Sequence, residues 1–220
     1  DSEFKRVEKI QDVLYGEDYL GIIYSDQKTH TAVEAFLARE GNCLSVMNLY
    51  VAMARYLGVD ANFQTVAVRP NWDRRGDLLV LSQHINATGR LNGQRRYVAD
   101  FTPEISLQQL TSSILTDSEA RALYFNNLGV EALISGDYEV ALKYLKNSLF
   151  LDSEQSITWN NIGTTYNRLE NSEYAEYSYQ RSFNLDKRNA TAVNNLAKFY
   201  RRSGDPILAQ QYEKAIERFN

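Results

Sequence analysis

A period of 34 residues runs through the carboxy-terminal half of the chain, and it constrains the fold more than any other feature. Shifted by 34 residues from Ala122 onward, Phe125 meets Trp159, Leu128 meets Ile162 and Gly129 meets Gly163. Ala141 meets Ala175, Ser148 meets Ser182, and Leu151-Asp152 meets Leu185-Asp186. A third copy holds the phase through Val193, Leu196, Ala197, Tyr200 and Ala209. A unit of this size cannot bury its apolar face alone and must stack on its neighbours. Gly129, Gly163 and Ala197, with Ala141, Ala175 and Ala209, are small where paired helices approach closely. Gly136-Asp137-Tyr138 and Gly204-Asp205-Pro206 read as turns, and Glu170-Asn171-Ser172 takes that place in the second copy.

The pattern resembles the tetratricopeptide repeat, an antiparallel helix pair. The resemblance implies an all-α solenoid of three repeats over residues 122–155, 156–189 and 190–220, and a protein or peptide as partner. Tyr212 and Ala215 sit one residue early in the last helix, as an end effect. Asparagine doublets recur in phase at Asn126-Asn127, Asn160-Asn161 and Asn194-Asn195. The resemblance turns the second of each toward a groove. There Asn127, Asn161 and Asn195, with donors and an acceptor each, would bond a peptide backbone. The plainer alternative is a solvated polar position.

Residues 1–104 carry no repeat and read as α+β, helices first and then an antiparallel sheet. Thr31-Ala-Val-Glu34 is a capping box opening a helix to about Arg39, which Glu40-Gly41-Asn42 breaks. A second helix runs from Cys43 to Leu57, apolar nearly all round and therefore buried. Asn62–Val68 and Leu78–Leu81 have strand character, with the polar loop Arg69–Gly76 between them. His84–Leu91 and Arg95–Phe101 form a hairpin about Asn92-Gly93. Residues 105–121 read as a linker helix, and Thr116-Asp-Ser-Glu119 is a capping box placed where the first repeat helix should start.

Composition narrows the function classes. A formal charge of -4 offers no attraction to nucleic acid. No apolar run reaches the ~18–20 residues of a transmembrane helix. One cysteine and two histidines are too few for a structural zinc site, and no glycine-rich phosphate loop occurs, so no metal or other cofactor is expected. The chain begins at Asp1 instead of methionine. The expectation is a processed or trimmed chain, with an exported or periplasmic bacterial protein, with or without a lipid anchor at its removed N-terminus, favoured over a cytoplasmic one.

Chemistry then falls to three residues. Cys43 opens a helix, where unpaired N–H groups and the positive end of the dipole lower a thiol pKa. His84 starts one strand of the hairpin and Asp100 ends the other. With a three-residue loop Leu91-Asn92-Gly93, His84 faces Asp100 directly, and Gly93 takes the left-handed conformation. A two-residue loop puts them on opposite faces. A lone cysteine is otherwise more often an inert buried hydrophobe.

Gly-Asn-Cys at a helix start, a strand opening with His and a strand ending in Asp-Phe-Thr-Pro resemble the transglutaminase-like core of the papain-like superfamily. The resemblance covers about residues 30–104 and implies a catalytic triad. Cys43 is its nucleophile, His84 the base and acid, and Asp100 the group that orients His84. The implied activity is a cysteine peptidase, amidase or acyltransferase acting on a peptide or carboxamide. Hydrolysis and transfer to an amine both stay open. The Cys43 N–H would serve the oxyanion, with Gln27, Asn42 and Trp72 as candidates for a second donor. His30 reads as a surface or cap residue, and the loop bearing Arg69, Trp72, Arg74 and Arg75 as a cleft rim or a solvated loop. The doublets Arg95-Arg96 and Arg201-Arg202 read as surface charge. The rival reading is a non-catalytic adaptor that keeps the fold and binds partners through both halves.

Overall fold

The computed structural model describes residues 2–67, 72–75, 78–81, 84–101 and 111–216. The chain divides into two compact units, Asp1–Asp73 with Leu81–Ala120, and Arg74–Val80 with Arg121–Asn220.

The first unit opens with α1 (Glu3–Tyr15), which the sequence reading passed over. Its buried residues, Val7, Ile10 and Leu14, fall at the three- and four-residue spacing of one helix face, and Ser2 caps it. A short strand, β1 (Ile23–Tyr24), pairs in parallel with β2 (Glu40–Gly41). Between them lies α2 (Ala32–Ala38), started by the expected capping box at Thr31 and Glu34. It stops at Arg39, whose φ of 54° turns the chain out of the helix. The buried α3 (Cys43–Tyr56) follows. Its Leu44, Val46, Met47, Tyr50 and Ala54 are at most 1% exposed, so it fills the core of this unit and packs on α1 and on the sheet.

The sheet has four antiparallel strands in the order β7-β6-β3-β8: β3 (Asn62–Ala67), β6 (His84–Leu91), β7 (Arg95–Ala99) and β8 (Thr111–Ile114). Two expectations are corrected here. Trp72–Arg75, read as loop, is a strand (β4), and it pairs with β5 (Leu78–Leu81) in a separate two-stranded sheet. The linker helix does not form over Thr111–Ile114. That run of hydroxyl and β-branched residues has weak helix propensity, and the open edge of β3 offers its backbone a full set of partners. Residues 105–110 lie outside the described residues.

The hairpin turn also differs in detail. Leu91 opposes Arg95 and Ala87 opposes Ala99, so the loop is Asn92-Gly93-Gln94. Both Asn92 and Gly93 are left-handed, with φ of 49° and 71°.

The first helix of the repeat region, α4 (Asp117–Ile134), begins inside the segment assigned to the linker, at the capping box of Thr116 and Glu119. Arg55 at the end of α3 grips Asp117 with two hydrogen bonds of 2.8 and 2.9 Å. Then come α5 (Tyr138–Leu151), α6 (Ser156–Arg168), α7 (Ser172–Leu185), α8 (Ala190–Ser203) and α9 (Pro206–Ile216). A Cβ at Gly129 would lie 2.6 Å from Leu145 Cγ, and one at Gly163 would lie 2.6 Å from the Tyr179 ring. Glycine recurs at this phase because helix pairs touch there. Among the described residues no helix is long and apolar enough to cross a membrane.

This contact is testable. Gly163→Leu should lower stability by ~1–3 kcal/mol through overpacking against Tyr179, read as a lower urea midpoint. An unchanged midpoint would contradict the close approach.

Candidate functional site

The mouth of α3 is clamped before any chemistry is considered. Asn42 is the N-cap, and its Oδ1 accepts from the Ser45 N–H at 2.9 Å and from the Ser45 hydroxyl at 2.9 Å. Its Nδ2 donates to Thr29 Oγ1 at 2.8 Å, and the His30 N–H donates to Ser45 Oγ at 2.7 Å. Thr29 and Ser45 are buried, so the preceding loop is tied to the first turn and Cys43 is held at its first helical position. Asn42 thus caps the helix through Oδ1 and gives one Nδ2 proton to Thr29. Gln27 is exposed. Arg69 lies outside the described residues, as do the side chains of Trp72, Arg74 and Arg75.

Around the Cys43 sulfur stand the backbone N–H groups of Ile85, Leu44 and Cys43 itself. Ile85 is the neighbour of His84, so the thiol meets β6 at its first residues. Burial pushes the Cys43 thiol above its ordinary pKa; the three amides pull the other way, and the charge of Asp100 adds to the rise. The lowering expected at a helix mouth is present, but burial outweighs it.

His84 and Asp100 come together as expected, though along a diagonal. His84 Nε2 lies 2.8 Å from Asp100 Oδ2 and 3.0 Å from Oδ1. Both side chains are nearly closed to solvent, at 5% and 6% exposure. The observed register sets Asp100 nearest Asn86 instead of His84, yet keeps all three on one face because the shift is two residues. An ionised carboxylate only accepts, so Nε2 is the nitrogen that presents a proton to Asp100.

Sequence reasoning missed the residues that support this pair. Asn86, wholly buried, donates from Nδ2 to Asp100 Oδ2 at 3.1 Å. Its Oδ1 accepts from Gln64 Nε2 at 3.1 Å, and Gln64 Oε1 accepts from the Arg96 guanidinium. Arg96 Nε also donates to Thr88 Oγ1 at 3.2 Å. Arg96 is thus more than surface charge, whereas Arg95 lies over the Phe4 ring. The missed signal was the alternation His84, Asn86, Thr88: three polar residues on one face of a strand. Phe101 is wedged between Tyr15 and Tyr24, with ring centroids 5.1 and 6.0 Å away. The Tyr15 hydroxyl is buried without a hydrogen-bond partner among the described residues, and burial, then the charge of Asp100, raises its pKa. Among the described residues no group of three His, Cys, Asp or Glu is arranged to hold a metal.

The asparagine ladder is engaged within the helices. Asn161 Nδ2 donates to Asn126 Oδ1 at 2.9 Å, and Asn195 Nδ2 donates to Asn160 Oδ1 at 2.9 Å. Asn126 and Asn160 are buried, so the second asparagine of one helix ties it to the first asparagine 35 residues earlier. Asn127, which has no preceding copy, is half-buried.

Residues 1–103 match the model of the transglutaminase-like superfamily. Over this segment the chain is similar to that superfamily. Over 124 residues, or 56% of its length, the chain is also 32% identical to the tetratricopeptide repeat-containing protein trd-1 of Caenorhabditis elegans. The match spans 16% of that relative, far less than its full length.

The first unit should weaken in alkali. An unfolded thiol loses its proton near pH ~8.5, while the folded one holds it to higher pH. The unfolded state then binds fewer protons, so stability falls as pH rises above about 8.5. Urea midpoints taken on either side of that pH should fall less in Cys43→Ala than in the wild type. Equal slopes would show that the sulfur is not buried as described.

Proposed function

We propose that the transglutaminase-like domain is a cysteine-nucleophile enzyme, a peptidase, amidase or acyltransferase, acting on a peptide or carboxamide through Cys43, His84 and Asp100. The observation that carries this reading is the hydrogen bond of His84 to Asp100 through Nε2. It leaves Nδ1 as the base, beside the strand residue whose N–H meets the sulfur.

Burial raises the Cys43 thiol pKa, so the nucleophile needs a base to take its proton. Cys43 Sγ attacks the carbonyl carbon as its proton passes to His84 Nδ1, and the imidazolium is stabilised by Asp100. The amides of Cys43, Leu44 and Ile85 around the sulfur are the donors available to the oxyanion. The C–N bond then breaks, and Nδ1 returns the proton to the leaving amine. A thioester remains on Cys43. Water cleaves it in a hydrolase, and an amine takes the acyl group in a transferase.

The helices α4–α9 are read as three tetratricopeptide repeats that recruit a protein or peptide. The 34-residue recurrence, the glycine contacts with Leu145 and Tyr179, and the repeat-containing relative support this reading.

Release of ammonia or amine from glutamine-containing peptides tests the enzyme. Cys43→Ala should abolish it, and His84→Ala should lower it ~10²–10⁴-fold. At pH ~7 Cys43 should be alkylated faster in the wild type than in His84→Gln, because His84 takes the proton of a thiol that is otherwise un-ionised there. A wild-type rate identical to that of His84→Gln, with no release from any peptide, would leave the adaptor reading in its place.

A further inference from the structure

We propose that Arg96 is a positioning residue for the His84–Asp100 pair, acting through the buried amides of Gln64 and Asn86. The inference rests on the reading of that pair as part of an active site.

Every link of the chain has a fixed direction. The guanidinium can only donate, so Gln64 must present its carbonyl oxygen to it. Gln64 then has only its NH₂ left for Asn86, at 3.1 Å. Asn86 receives that bond on Oδ1 and has only its own NH₂ left for Asp100, at 3.1 Å. Asp100 is the terminal acceptor of this chain and, from the other side, of His84 Nε2. A donor-only cation at one end and an acceptor-only anion at the other set both amide orientations. Gln64 is 1% exposed and Asn86 is 0% exposed, so water does not compete for these bonds. Only Arg96 reaches solvent. The four residues come from three adjacent strands and from the residue just after β7, so the sheet itself holds the chain in line.

The consequence concerns the imidazole. While the chain is complete, a protonated Asp100 would face the Asn86 NH₂ donor with a hydroxyl, and the carboxylate form is favoured. That form keeps the His84 proton on Nε2. Without Arg96, Gln64 is released to rotate, Asn86 follows, and Asp100 gains a neutral alternative. Nδ1 of His84 is then no longer reserved as the base.

The test is ¹⁵N NMR of the full chain labelled at histidine. The sequence has two histidines, His30 and His84, and His30→Gln assigns them. The wild type should show His84 as the Nε2–H tautomer with a strongly hydrogen-bonded ring proton. Arg96→Met should weaken that proton resonance and mix in the Nδ1–H tautomer. It should also slow Cys43 alkylation at neutral pH by roughly threefold to tenfold, the effect of one net hydrogen bond. Arg96→Lys, which keeps a cationic donor, should restore part of both. Ring shifts unchanged in Arg96→Met, with the fold intact by circular dichroism, would overturn the proposal. The two readings separate cleanly. An inert wild-type thiol with a responsive His84 ring defeats the enzyme and spares the relay. A reactive thiol with an unresponsive ring does the reverse.

Discussion

The carboxylate of Asp100 sets the terms for the rest of the first unit. A charge taken out of water is costly unless donors replace the solvent around it. Here His84 and Asn86 supply them, both from β6 and two residues apart. The spacing is the pleat itself, which returns every second side chain to the same face. Asn86 in turn needs Gln64, and Gln64 needs Arg96, so one buried anion prescribes polar residues across three strands. Placing the carboxylate also places the imidazole, and the thiol is delivered to the same strand by a separate device. That device is the clamp of Thr29, Asn42 and Ser45 on the first turn of α3.

The thiol lives under two opposed influences. Backbone amides at a helix start favour the anion, as the residue order Gly-Asn-Cys leads one to expect. Burial favours the neutral form and prevails. A sulfur so placed holds its proton to higher pH than a free thiol does.

Much of this was legible in the residues. The capping boxes at Thr31 and Thr116, the buried helix from Cys43 and the hairpin about Asn92-Gly93 all follow from local chemistry. The shared face of His84 and Asp100 was expected only for a three-residue loop, and the loop has three residues. What escaped was decided at longer range. The strand over Thr111–Ile114 exists because β3 had an edge to fill, and no local pattern announces a vacancy elsewhere in a sheet. The hairpin loop lies one residue beyond its expected start because turn geometry, and not the dipeptide alone, selects the opposed pair. Asn86 and Gln64 looked like unremarkable strand residues, and their partnership requires knowing that β3 lies beside β6. The asparagine doublets were recognised as a ladder, but their partners proved to be one another.

The turn of Asn92, Gly93 and Gln94 carries a consequence for how this hairpin can vary. Side chains alternate with a period of two, so while this three-residue loop is kept, one residue inserted into or deleted from β7 would send Asp100 to the far side of the sheet from its imidazole. Two would only slide it along the same side. Relatives that preserve the pair are thus free to lengthen this hairpin in even steps, and odd ones demand a compensating bulge in the same ribbon.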